Sequence, residues 1–161
     1  MKRKKRGYKR DIPQELMRDY KLFAIACEGY KREPEYFKVF PYLSRRIAVD
    51  IIEDNKIDDF SHKSAPKWVL DRAIKYIEKE GLTDEDDLYF VMDVDRWSNQ
   101  QIREISNYCE QFPNWHVVLS NPCFEVWLYL HKKANFPNHN TASCATLKKE
   151  FLQCIQGDIT R

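Results

Sequence analysis

From about residue 20 onward the chain alternates between short apolar runs and stretches whose apolar positions recur every three or four residues. Leu22-Phe23-Ala24-Ile25-Ala26-Cys27 is apolar at every position, the pattern of a central parallel strand covered by helices on both faces. Glu28-Gly29 ends it. Pro34 to Tyr42 predicts a helix with Pro34 in its first turn and Tyr36, Phe37 and Phe40 on one side. Arg46 to Glu53 sets Ile47, Val49 and Ile51 against Ala48, Asp50 and Ile52, which predicts a half-covered edge strand. A polar stretch from Asp54 to Lys63 follows. Ser64 and Pro66 then open a helix with Val69, Ala73, Tyr76 and Ile77 on its apolar face, closed by Gly81. Leu88-Tyr89-Phe90-Val91-Met92 is a second buried strand, ending at Asp93-Val94-Asp95.

Ser98 and Gln101 have the spacing of a capping box, in which two side chains satisfy end amides reciprocally. The helix they start carries Ile102, Ile105, Cys109 and Phe112 on one face and stops at Pro113. His116 to Leu119 is a short fourth strand. Asn121 and Pro122 read as the N-cap and first residue of a helix over Cys123 to Lys133, apolar nearly all round and therefore expected to be buried. A last helix spans about Ala142 to Gln156. Trp68, Trp127, Phe124 and Phe90 fall on apolar faces and are assigned to the core, whereas Trp97 and Tyr30 stand beside the carboxylates. Strands separated by helices of this length need crossover connections, so the expected fold is an α/β, Rossmann-like sandwich: a mainly parallel four-stranded sheet with helices on both faces.

Length and composition narrow this further. At 161 residues, with 43% hydrophobic and 32% charged residues and only 4 Gly, the chain has the make-up of one globular domain. The first ten residues, MKRKKRGYKR, hold seven of the 27 basic side chains and no acid, which leaves the remainder with 20 basic against 25 acidic groups. Residues 1–20 are accordingly read as a flexible basic arm able to meet phosphates, and 21–161 as the domain. The longest apolar run has six members, against the roughly 20 of a membrane span or the about 7–15 of a secretory signal core. A soluble, cytoplasmic protein with no membrane association is therefore expected. Five widely spaced cysteines, never as CxxC, argue against a disulfide framework and against a zinc ribbon. His131, His139 and Cys144 fit no zinc spacing either, and packing roles are expected for them.

Candidate chemistry lies at the strand ends. In open parallel sheets ligands bind beyond the carboxyl ends of the strands, and two buried strands here end in acids: the first in Glu28, the third in Asp93 and Asp95. A lone Asp-x-Asp more often caps a helix or faces solvent, but a second acid closing another buried strand changes that balance. Several like charges there lose hydration and repel one another, and a hard divalent cation, Mg²⁺ or Mn²⁺, relieves both costs. The i, i+2 spacing of Asp93 and Asp95 would put both on one side of an extended segment. Asn121 and Glu125, four apart at a helix start, are placed to face this cradle. Glu125 in particular is a carboxylate in an otherwise apolar helix and needs a partner. Lys31, Arg32 and Arg96 flank the cradle and are placed to neutralise phosphate charge.

Three segments, Ala26 to Phe37 (ACEGYKREPEYF), Val91 to Arg96 (VMDVDR) and Ser120 to His131 (SNPCFEVWLYLH), resemble in order the signature blocks of the RloB family. That family is similar to the Toprim domains of primases, topoisomerases and overcoming-lysogenization-defect nucleases. The resemblance implies a Toprim-like fold, with Glu28, Asp93 and Asp95 as metal-binding catalytic residues of a Mg²⁺-dependent nuclease. It also implies nucleic acid, DNA or RNA, as substrate, a place in bacterial phage defence near restriction-modification or abortive-infection loci, and an ATPase partner of the AAA or ABC type. Homo-oligomerisation is compatible with it. The chain keeps Glu33 of the family's first block but has Arg32 where Thr is usual. The family often continues past the last helix, so a basic residue carried by such a tail would be absent from this chain. The alternative reading is a catalytically weak metal- or nucleic-acid-binding subunit of an ATPase-partnered complex. Haloacid-dehalogenase-like phosphatases also use Asp-x-Asp, but after the first strand and with Thr or Val two residues on, where this chain has Trp97.

Overall fold

The computed structural model describes residues 20–39, 46–53, 65–132 and 143–159. Its elements in chain order are β1 (Lys21–Cys27), α1 (Arg32–Phe37), β2 (Ile47–Ile52), α2 (Pro66–Glu80), β3 (Asp87–Asp93), α3 (Asn99–Cys109), β4 (Trp115–Ser120), α4 (Glu125–Lys132) and α5 (Cys144–Ile159). All strand pairs are parallel, in the order β2-β1-β3-β4. The two wholly apolar runs, β1 and β3, are the central strands, with Ile25 opposite both Ile51 and Tyr89. The alternating run, β2, is an edge strand as its pattern predicts.

Alternation along β1 and β3 divides the core into two layers. Ala24, Ala26, Leu88, Phe90 and Met92 point to one face, under Val69 and Ala73 of α2 and Ile105 and Cys109 of α3. Ile25, Cys27 and Val91 point to the other, under Tyr36 and Phe37 of α1, Phe124, and Leu128 of α4. Helices thus cover both faces, and this is why neither central strand shows a polar-apolar alternation. Gly81, at φ 73°, takes the left-handed backbone that ends α2, its N–H donating to the Ile77 carbonyl at 2.9 Å. The Ser98–Gln101 capping box forms at the start of α3. Among the described residues no helix is long and apolar enough to cross a membrane.

A buried carboxylate that carries no motif ties the sheet's entry side together. Asp86 Oδ1 accepts the Leu22 N–H at 3.0 Å, and its Oδ2 accepts the N–H and hydroxyl of Thr83, both at 2.9 Å. Asp86→Ala leaves the Leu22 amide buried without its acceptor, so it is expected to cost about 2 kcal/mol, seen as a lower urea midpoint at unchanged slope.

Several expectations need correction. Helix α1 occupies Arg32–Phe37 rather than running from Pro34 to Tyr42, and Phe40 and Ser64 lie outside the described residues. Asn121 is not an N-cap: the Asn121–Pro122 peptide is cis, the chain turns through Cys123 and Phe124, and the helix begins at Glu125. Nor is that helix buried all round, since Trp127 and Leu130 are exposed. Phe90 and Phe124 are core residues as expected, but Trp68 and Trp127, at 42% and 43% exposure, are not. Trp68 sits about 100° round the helix from the buried Val69, which takes it off the core face. Trp127 donates its indole N–H to Ser120 Oγ at 3.1 Å, at the sheet's β4 side. Phe112 is also partly exposed, at 38%, and stacks on Trp115 with 4.2 Å between ring centres.

Candidate active site

The carboxyl ends of β1 and β3 are neighbours because the two strands pair with each other. One residue beyond β1, the Glu28 N–H donates to the Val91 carbonyl at 2.9 Å, which keeps Glu28 in sheet register and directs its side chain to the rim. There Glu28 Oε2 accepts the backbone N–H of Asp93, the last residue of β3, at 2.9 Å. Glu28 is 95% buried by its 5% exposure, and Asp93 is half-buried. The turn after β3 is fastened to the exit of β4 by Val94 N–H to Ser120 O at 2.9 Å and Asp95 N–H to Pro122 O at 3.1 Å.

A cavity of about 630 Å³ opens beside this pair. Its walls combine five acids, Glu28, Glu33, Glu35, Asp93 and Glu125, with five cationic side chains, Lys31, Arg32, Arg72, Arg96 and Lys148. Arg72, from α2, also donates to the Cys27 carbonyl at 2.8 Å, which fixes it beside the end of β1. Glu125 at the start of α4 is buried and paired with Arg32, while Lys148 Nζ of α5 lies 3.7 Å from its Oε1. A Cβ at Gly29 would meet only the carboxylate end of the Glu33 side chain, which lies folded over this turn and is free to swing aside.

Electrostatics at the rim are those of carboxylates crowded together and drawn out of water. Burial pushes the Asp93 carboxyl up to about 7, and the charges of Glu28, Glu33, Asp95 and Glu125 add to the effect. Glu28 is also raised, first by burial and then by Glu33, against the opposing pull of the Asp93 amide, the Trp97 indole and Arg96. The buried Trp97 Nε1–H stands close enough to favour the charged form of Glu28, but makes no hydrogen bond of full geometry. Hard oxygen donors held together in this way fit Mg²⁺ or Mn²⁺, which bind one or two carboxylates and keep water or phosphate in their other positions.

Compared with known families, residues 23–158 match the model of the RloB-like proteins. The chain belongs to the RloB-like family. The match runs through β1 to α5 and so takes in all the walls of the cavity. No curated protein and no solved structure matches the chain.

In this RloB-like chain the fold brings together seven of the residues singled out from sequence: Glu28, Asp93, Lys31, Arg32, Glu33, Arg96 and Glu125 all line the cavity. Asp95 and Asn121 do not. Asp95 is exposed in the turn, not on extended backbone beside Asp93. Among the described residues the one set of three metal-ligating side chains with all donor atoms within 4.8 Å is Cys123, Glu125 and Cys144, so Glu28, Asp93 and Asp95 are not drawn into such a set. Tyr30 lies at the cavity mouth and is exposed. His131 meets the Tyr36 hydroxyl at 2.7 Å, a packing role as expected, while His139 lies outside the described residues. Sequence reasoning missed Arg72 and Lys148. Each is an ordinary cation on an amphipathic helix, and only the packing of α2 and α5 carries them to the rim.

Proposed function

We propose that this chain is a Toprim-like, Mg²⁺-dependent phosphodiester-cleaving domain acting on nucleic acid. The observation that carries the reading is the Glu28–Asp93 pair at the rim of the two central strands, beside a cavity with five cationic side chains in its walls. Glu28 and Asp93 would hold Mg²⁺ or Mn²⁺, with Asp95 joining by rotation of its exposed side chain, and the ion supplies an activated water and a charge clamp on the scissile phosphate. The chain's own residues do the rest. Arg96 and Lys31 bind the phosphate backbone, and Arg72 and Lys148, also in the cavity walls, stabilise charge gathering on the phosphoryl oxygens. Arg32 is engaged with Glu125 and orients the wall. The basic arm, outside the described residues, adds affinity that falls with salt and carries no sequence preference. A cytoplasmic role in bacterial phage defence, next to a partner ATPase, is part of the same proposal, through the resemblance of the three sequence blocks to the RloB family and what that resemblance implies.

The purified chain is expected to cleave single- or double-stranded DNA or RNA with Mn²⁺ or Mg²⁺ and to stop on chelation. Ion binding by calorimetry with no cleavage of any of these substrates, alone or with the partner ATPase, overturns the nuclease reading and leaves the metal- or nucleic-acid-binding subunit. That second reading is favoured by one feature, the position of Asp95 outside the acidic pair.

A further inference from the structure

Two thiols and a carboxylate meet behind the cavity wall. Cys123 follows β4, Glu125 opens α4 and Cys144 opens α5, and their donor atoms lie within 4.8 Å of one another. Cys123 is wholly buried, Glu125 is 4% exposed and Cys144 is half-buried. We propose that Cys123, Glu125 and Cys144 form a separate site for a thiophilic divalent cation of the Zn²⁺ class.

The chemistry of the donors selects the ion. Thiolate sulfur favours Zn²⁺ over Mg²⁺, whereas the all-oxygen pair at Glu28 and Asp93 has the opposite preference. With Zn–S near 2.3 Å and Zn–O near 2.0–2.2 Å, tetrahedral ligands stand about 3.4–3.8 Å apart, so the trio closes on an ion by a contraction of about 1.4 Å at most. The negative charge is compensated as well. Two thiolates and a carboxylate bring three negative charges, and the two positive charges of the ion leave one, which the cations of Arg32 and Lys148 at Glu125 more than offset. A carboxylate has lone pairs enough to keep Arg32 while ligating, and a cation holding a metal-bound carboxylate in place is the usual outer support of such sites. Water from the cavity takes the fourth position. Binding releases the two thiol protons to solvent and changes no oxidation state. Because Cys144 is one helical turn before Lys148, the ion would also pin α5 against α4 and hold Lys148 at the cavity wall. The site is independent of the nuclease reading, as it uses neither Glu28 nor Asp93.

Co²⁺ titration of the full-length, reduced chain tests it. The expected result is a thiolate-to-cobalt charge-transfer band that saturates at one ion per chain, persists in excess Mg²⁺ and is displaced by Zn²⁺. Cys144→Ser and Cys123→Ser are each expected to weaken binding of the ion by more than about 100-fold, beyond the cost of losing an outer-shell partner, while Glu28→Gln leaves the band unchanged. Cys144 is half-buried at a helix start where Ser is well tolerated, so this variant keeps the test open even if the Cys123 variant fails to fold. Absence of the band in the parent chain, or a band undiminished in Cys144→Ser, overturns the proposal.

Discussion

Asp93→Asn is expected to make the ion-free chain more stable at about pH 8 while reducing Mg²⁺-dependent cleavage by about 10³-fold or more, since a direct ligand matters more than an outer-shell partner. Both effects come from one carboxyl. In the fold its pKa is raised to about 7 from 3.8 by burial and by four neighbouring acids. The native state therefore holds the proton more tightly than the unfolded chain does between those two values. Stability from this group is complete below the unfolded pKa and is lost as pH climbs to about 7, a decline of about 2–4 kcal/mol. Asn keeps the shape and the backbone N–H that Glu28 accepts, and removes the titration. The variant and parent should unfold alike near pH 4 and diverge as pH rises, with a shallower slope left in the variant by the raised Glu28. Added Mg²⁺ should restore the parent at about pH 8 and do little for the variant. Parallel unfolding curves across that range, read by urea titration, would contradict the acidic environment described for Asp93.

Arg32→Thr is expected to destabilise the fold by about 2–3 kcal/mol, because it strips the buried Glu125 of its closest cation. The loss falls at the lower end for a broken buried pair for two reasons: the Arg32 side chain is 59% exposed, and Lys148 remains 3.7 Å from the carboxylate. Glu125→Gln in the same chain should recover most of the loss, since a neutral amide needs no counterion, giving a coupling of about 2 kcal/mol in the double-mutant cycle. If Arg32→Thr unfolds at the parent's urea midpoint, the pair contributes nothing to the fold. Arg32 thus has a structural role in this chain: an arginine two positions before the buried Pro34 reaches across to the start of α4.

How far sequence reasoning reaches here follows from what each feature depends on. Which strands are central, and the layering, were legible because a central parallel strand must be apolar on both sides, and β1 and β3 are the two runs that satisfy this. Glu28 and Asp93 were legible because each interrupts such a run at its carboxyl end. Asp95 was misplaced by treating the segment as extended, when the chain turns immediately after Asp93. Asn121-Pro122 has the letters of a helix start, yet the turn through Cys123 and Phe124 delays the helix to Glu125. Arg72, Lys148 and the Cys123–Cys144 proximity depend on how helices distant in sequence pack, and no local pattern encodes that.

The hydrogen bond from the Asp93 amide to Glu28 joins residues 65 apart, and it exists only once β1 and β3 lie side by side. Parallel pairing at this separation must close a long loop before any contact is gained. A nascent chain still on the ribosome before β3 has emerged carries one acid of the pair, and so does either fragment left by a protease cutting between β2 and β3. Whatever chemistry the pair performs is therefore withheld from immature and damaged copies, and the completed sheet is the condition for it.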